Sequence, residues 1–216
     1  IAAYTHIDAC DTMSVVFTNS SNVATGSILQ NIWKFGDGDT ALRKDTNHYY
    51  PAEGMYTSKL IVITENNCSD SISKPVNIWP RVNADMTLDS VCFGNTNSFV
   101  NTSITTATSV SYNWDFGDGN NSIAGAPNHI YARPDTFEVV LSTTTNRGCT
   151  DFALDTLVVY PLPFVDFSFT NSCVIDTVTF TNNSTSAGGL YSSFWDFGNT
   201  LTATDSNPKI KYIKDN

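Results

Sequence analysis

The sequence predicts an all-β protein, a tandem array of two-sheet β-sandwiches with the third incomplete, and three observations predict it. The first is a repeat: Trp33, Trp114 and Trp195 stand 81 positions apart, each in a copy of Trp-x-Phe-Gly. The second is the absence of helical patterning. No segment carries apolar residues at i, i+3, i+4 and i+7 over three turns, and 18 of the 21 acidic residues are Asp, which favours turns over helices. The third is the presence of β-branched runs of strand length, YTSKLIVIT (56–64) and FEVVLSTTT (137–145), bounded by Asn, Gly, Asp and Pro clusters.

The rest of the chain keeps the same period. Cys10, Cys92 and Cys173 each precede a Phe (Phe17, Phe99, Phe180) by seven positions and an Asn (Asn19, Asn101, Asn182) by nine. Cys68 and Cys149, His48 and His129, Tyr50 and Tyr131, and Pro80 and Pro161 are each 81 apart. The units are therefore 1–80, 81–161 and 162–216, a complete unit being of a size for about seven short strands. Tyr4, Met86 and Phe167 open the first strand of each, and the Phe after the first cysteine sits in the second. In the next strand Tyr112, Trp114 and Phe116 alternate with polar Asn113 and Asp115, the period of a half-buried strand. The third unit stops near Tyr212, the counterpart of Tyr131, and lacks the segments matching 137–145 and 149–160. We expect it to be part of a longer protein, completed by further sequence or by a strand from a neighbouring chain.

Asp-Phe-Gly at 115–117 spells a kinase motif, but the catalytic-loop Asp and strand Lys are missing and the wider Trp-x-Phe-Gly segment recurs once per unit. It reads as structure: Trp33, Phe35, Trp114, Phe116, Trp195 and Phe197 fill the core, and Gly36-Asp37-Gly38 and Gly117-Asp118-Gly119 turn the chain. The third unit has Asn199 and Thr200 in place of Asp118 and Gly119, so a different turn is expected there.

A net charge of -10 and a pI near 4.4 disfavour nucleic acid and anionic membrane as partners, and no apolar run is long enough to span a membrane. Cys10 and Cys68 are 58 apart and Cys92 and Cys149 are 57 apart, which suggests one disulfide per unit, each worth roughly 4 kcal/mol in the chain-entropy model. Cys173 is then unpaired. Reduced core cysteines are the alternative; the recurrence of both positions favours bridges and an oxidising compartment.

Trp-Asp-Phe-Gly-Asp-Gly, followed by Pro127, His129 and Tyr131 and then a β-rich run, resembles the polycystic kidney disease (PKD) domain. Unit 1 carries Lys34 in place of the motif Asp, and unit 3 carries Ile210 in place of the His. The resemblance implies an Ig-like β-sandwich of extracellular proteins, used as spacer or adhesive module and as accessory domain of secreted enzymes. With the paired cysteines in NNCSD (66–70) and RGCTD (147–151), the units are similar to tandem repeats of large Bacteroidota surface adhesins, including those of gliding motility. Asp, then Ser or Thr, then a small apolar residue resembles the O-glycosylation acceptor of that phylum, with Thr12, Thr40, Ser71, Ser90, Thr156 and Thr177 as acceptors; a strand-start role for Asp-Thr is the alternative. Asn-x-Ser/Thr occurs at Asn19, Asn67, Asn101, Asn120, Asn182 and Asn183, where abundant Asn makes it uninformative.

No catalytic or zinc constellation is present: His6 is near the start, His48 and His129 hold equivalent places in different units, and no Ser-His-Asp or ligand pattern recurs with them. No cofactor is expected. Asp37, Asp39 and Asp118 are weak calcium candidates, lacking the closing Glu of an EF-hand loop. Exposed aromatics are the candidates for glycan contact, Trp79 and Tyr160 foremost, with Tyr49 and Phe194; Trp79 lies at a unit boundary, where packing between domains competes with that role. The Pro-containing linkers IWPRVNAD (78–85) and VYPLPFVD (159–166) restrict bending. The function expected is a non-catalytic stalk or adhesive array on the cell surface. Its partners are neighbouring repeats, a polysaccharide or substratum surface, or other surface proteins; accessory domains of a secreted hydrolase are the alternative.

Overall fold

The computed structural model describes residues 1–170, 177–187, 189–198 and 200–212. Every regular element among them is a strand, and the fold is all-β, of the Ig-like sandwich kind. By contacts the chain divides into two compact units. One comprises Ile1–Thr87, Val100–Pro127 and Val139–Asp155; the other comprises Leu88–Phe99, Asn128–Glu138 and Thr156–Asn216.

The first repeat lies wholly in the first unit. Its strands are β1 (Tyr4–His6), β2 (Ala9–Cys10), β3 (Ser14–Asn19), β4 (Ile28–Lys34), β5 (Thr40–Ala41), β6 (Thr46–Tyr49), β7 (Gly54–Thr64) and β8 (Ser69–Trp79). They form two sheets, β1-β3-β6 and β2-β8-β7-β4-β5. Strand period decides what goes inside: in β3 Val15, Phe17 and Asn19 are buried while Val16 and Thr18 face water, and in β7 Ser58, Leu60 and Val62 point inward. With Ala2, Tyr4, Trp33, Phe35, Tyr50, Val76 and Ile78 they make one closed core. Ser58 is buried without penalty because its hydroxyl meets the Tyr4 hydroxyl at 2.7 Å. Pro75 is tolerated inside β8 because the strand beside its free edge, β2, pairs only with Ile78 and Trp79.

The chain continues through β9 (Val82–Asn83), β10 (Met86–Thr87), β11 (Val91–Cys92), β12 (Asn97–Ser98), β13 (Val100–Asn101), β14 (Ile104–Thr105), β15 (Val110–Asp115), β16 (Asn121–Ser122), β17 (Asn128–His129), β18 (Asp135–Thr145) and β19 (Thr150–Tyr160). Within the first unit β15 pairs with β16 and with the Val140–Thr145 part of β18, so Trp114 repeats the placement of Trp33 and is likewise fully buried. Within the second unit β11 runs parallel to the end of β19, as β2 does to the end of β8. The third repeat adds β20 (Phe167–Phe169), β21 (Thr177–Asn182), β22 (Trp195–Asp196), β23 (Thr202–Ala203) and β24 (Lys209–Lys211), with β20-β21-β24 as one sheet and β22-β23 as a hairpin.

Candidate functional site at the first repeat joint

The repeated Trp-x-Phe-Gly segment is built the same way three times. The Phe35, Phe116 and Phe197 N–H groups donate to the carbonyls of Asp39, Asn120 and Leu201, each at 3.1 Å, closing the turn. The indole N–H of Trp33, Trp114 and Trp195 donates to the carbonyl ten residues on, at 2.9, 3.0 and 2.9 Å. Gly36 takes φ 93° with Thr57 O only 2.6 Å from where a Cβ would stand, so the residue there must be glycine. The third turn does not differ as expected: it keeps the same closure, and Thr200 takes φ 69° at the place of Gly38 and Gly119. Asn199 and Cys173 lie outside the described residues.

In the first repeat Asp37 fastens this turn to β6. Its Oδ2 meets His48 Nε2 at 2.6 Å and its Oδ1 accepts the Asp39 N–H at 3.1 Å, while the His48 ring stacks on Phe35 at 3.9 Å. Burial pushes the Asp37 carboxyl up, but the His48 hydrogen bond, the Asp39 N–H and the His48 charge outweigh it and hold the group below the usual aspartate range. Asp37, Asp39 and His48 bring ligand-type atoms within 4.8 Å of one another. Both Asp37 oxygens, however, already serve the turn. In the second repeat Asn120 stands in Asp39's place and its N–H and Nδ2 bond Asp118 at 3.0 and 3.1 Å, so the ligand set does not repeat.

The cysteines pair differently from the expectation. Cys10 bonds to Cys149, 139 residues away, with the Cα atoms 5.7 Å apart; Cys68 and Cys92 are free and exposed. Cys10 cannot reach Cys68 because the β7–β8 hairpin holds them apart. Cys10 is opposite Trp79 at one end of β8, and Cys68 precedes Ser69 at the other. Eleven extended residues separate them by roughly 35 Å, where a bridge needs Cα atoms within about 7 Å. Cys92, opposite Tyr160, and Cys149, preceding Thr150, flank β19 in the same way. The bond that forms joins the edge strand of the first repeat to the hairpin tip of the second.

Other contacts of the first unit gather at this joint. The Arg147 guanidinium lies over the Trp79 ring, 4.2 Å from its centroid, and the Thr106 hydroxyl donates between the Glu53 oxygens at 2.8 and 2.7 Å. One face of Trp79 is thus occupied by packing. Tyr160, Tyr49 and Phe194 are exposed. Sequence reading missed Arg147, Thr106 and Glu53, and the repeat could not reveal them: Asn66 and Pro134 hold the places equivalent to Arg147 and Glu53.

The recurring Asn-x-Ser has a structural cause. Asn19, Asn101 and Asn182 Oδ1 accept the N–H of Ser21, Ser103 and Ser184 at 2.8, 3.0 and 2.9 Å, and each serine hydroxyl in turn ties down the strand that opens its repeat. Asp70 and Asp151 do related work, accepting the Ala2 and Ala84 N–H at 2.8 and 2.9 Å. All six Asp-Ser/Thr hydroxyl residues, Thr12, Thr40, Ser71, Ser90, Thr156 and Thr177, are exposed.

The third repeat, in the second unit, carries an open cavity of about 410 Å³ lined by Phe167, Phe180, Trp195, Phe197 and Tyr212 among others.

The PKD-domain model matches residues 1–79 and again 80–159. The chain belongs to the PKD-domain family. The first PKD domain of Vibrio anguillarum Epp is 30% identical over 37% of this chain and 93% of its own, with a TM-score of 0.34. The first PKD domain of the Vibrio cholerae metalloprotease PrtV is 24% identical over 36% and 94%, also at 0.34. The fibronectin(III)-like modules of Clostridium thermocellum CbhA are 10% identical over 74% and 93%, at 0.40. PKD domains are typically non-catalytic modules, and a disulfide-bearing PKD array is of the extracellular type.

Proposed function

We propose that these PKD repeats are a semi-rigid, non-catalytic stalk segment of a large cell-surface or secreted adhesin. In this reading they hold an adhesive part against a polysaccharide, a substratum or other surface proteins, gliding over surfaces included. The Cys10–Cys149 bond carries the reading. It ties the edge strand of one repeat to the hairpin tip of the next, so it fixes the joint between two successive repeats. It also alters how load travels. Tension reaching Cys10 passes through the sulfurs to Cys149, so the chain between the two cysteines is shielded from it. The Arg147–Trp79 and Thr106–Glu53 contacts stiffen the same joint, and repeats that each contact only their neighbours extend reach in proportion to their number.

Single-molecule stretching of the full chain tests this. Oxidised chain should withhold the 139-residue segment, releasing about 500 Å less extension than chain in reductant; equal extension in both sinks the load-bearing role. Binding of the chain to a polysaccharide panel, with and without a calcium chelator, separates stalk from tip. Silence leaves the repeats as stalk, and saturable binding makes them the adhesive element.

A further inference from the structure

Cys68 and Cys92 are the repeat equivalents of the two bonded cysteines: Cys92 stands in register with Cys10, and Cys68 with Cys149. The backbone presents them alike. Beside Cys10, the Asp11 N–H donates to Trp79 O at 2.7 Å and the Met13 N–H to Cys10 O at 3.0 Å; beside Cys92, the Phe93 N–H donates to Tyr160 O at 2.8 Å and the Asn95 N–H to Cys92 O at 3.1 Å. Around Cys149, the Thr145 N–H donates to Cys149 O at 2.8 Å and the Gly148 N–H to Thr145 O at 2.9 Å; around Cys68, the Thr64 N–H donates to Cys68 O at 2.9 Å and the Asn67 N–H to Thr64 O at 3.0 Å. Even the left-handed residue before the cysteine is matched, Gly148 at φ 81° and Asn67 at φ 56°. The bonded pair shows what these two environments do when they meet, and the free pair, both exposed, shows the same environments without a partner.

We propose that Cys68 and Cys92 are the open halves of the joint that Cys10 and Cys149 close, and that each takes the complementary cysteine of another PKD repeat of this kind. Cys92, of the edge-strand type, bonds a hairpin-tip cysteine. Cys68, of the hairpin-tip type, bonds an edge-strand cysteine. The disulfide is then a staple that propagates from repeat to repeat, and pairing is always between unlike types. Each bond forms from two thiols, which lose two protons and pass two electrons to a low-molecular-weight or protein disulfide, itself reduced to two thiols. The stacking partner changes between joints, since Tyr160 stands where Trp79 does and Asn66 where Arg147 does. The sulfurs, not the cation–π contact, are thus the constant feature. The inference is independent of what the array adheres to.

In the purified chain a second copy supplies the complementary cysteine. In a Cys173→Ser background, Cys68→Ser and Cys92→Ser variants would be incubated in an oxidised and reduced glutathione buffer, separately and mixed, then read by non-reducing electrophoresis and peptide mass mapping. We expect neither variant to dimerise alone, and the mixture to give a linked pair mapped to Cys92 and Cys68. Dimers of either variant alone through like cysteines would overturn the proposal. So would a mixture in which the Cys92–Cys68 bond forms no faster than bonds between two arbitrary exposed cysteines. Mapping of the protein as its cell exports it supplies the second reading: unlike-type bonds at both positions support the staple, and free thiols at both refute it.

Discussion

The first and third repeats carry the same aromatic cluster in the same geometry, yet one is a core and the other is a surface. In the first, Tyr4 meets Trp33 edge-on at 5.1 Å and Phe17 packs 5.4 Å from Trp33 and 5.3 Å from Phe35. In the third, Phe167 meets Trp195 edge-on at 5.4 Å and Phe180 packs 5.6 Å from Trp195 and 5.2 Å from Phe197. But Tyr4 is 1% exposed and Phe167 is 50% exposed. The difference is the long hairpin: β7 and β8 supply Leu60, Val62, Val76 and Ile78 as the far wall in the first repeat, and the described residues of the third have no counterpart. Ring arrangement is therefore set by three short strands and the turn, whereas burial, and with it most of the stabilisation, is set by the hairpin.

The largest test of that contrast is Trp33→Ala against Trp195→Ala. The first leaves a cavity in a closed core and should cost about 3–5 kcal/mol; the second, at an open face, should cost less than half as much, measured by hydrogen exchange of each repeat in the full chain. Equal losses would mean the open cluster stabilises as a core does. Next comes the crosslink, which belongs to the first unit alone. Replacing Cys10 and Cys149 together by Ser should cost that unit about 2–5 kcal/mol and leave protection of the third repeat unchanged. Then the turns: Gly36→Ala combines positive φ with a clash on Thr57 O, while Gly198→Ala, at φ 75° with nothing within 4 Å, carries only the left-handed penalty of about 1–2 kcal/mol. Denaturation midpoints should fall further for Gly36→Ala.

The smallest effect is acid. Because the Asp37 carboxyl is held below its ordinary value, its contribution is present above the unfolded aspartate pKa, near 3.9, and is lost as pH falls through the lower folded value. Unfolding midpoints of the first repeat should drop on acidification below about pH 4, with a shallower drop in Asp37→Asn. The third repeat, with Asn199 at that position, has no such contribution to lose. An identical pH profile in Asp37→Asn would remove the His48–Asp37 bond from the account of the turn.

How much of this was legible beforehand depends on the range of the interaction. The burial of Trp33 and Phe35 follows from alternation along a strand, and the turn from glycines whose φ is positive; both are local and repeat with the sequence. The serines and asparagines of the Asn-x-Ser clamps were visible as a pattern, but abundant Asn hid their purpose until Ser21, Ser103 and Ser184 were seen bonded to a strand 18 residues away. Thr200 shows the opposite failure. The closing hydrogen bond and the stacked aromatics hold the third turn in shape against the preference of its own residue.

By itself the sequence determined the strands, their inward and outward faces, the repeat and the turn of the first two repeats, because each depends on residues adjacent in the chain or in register with it. Which cysteine meets which was decided only by the tertiary structure. Closing a loop of 139 residues rather than 58 differs by less than about 1 kcal/mol in chain entropy, so spacing could not choose between the pairings. A hairpin of two eleven-residue strands could, by holding Cys68 at the far end of the sheet from Cys10 and bringing Cys149 of the next repeat to it.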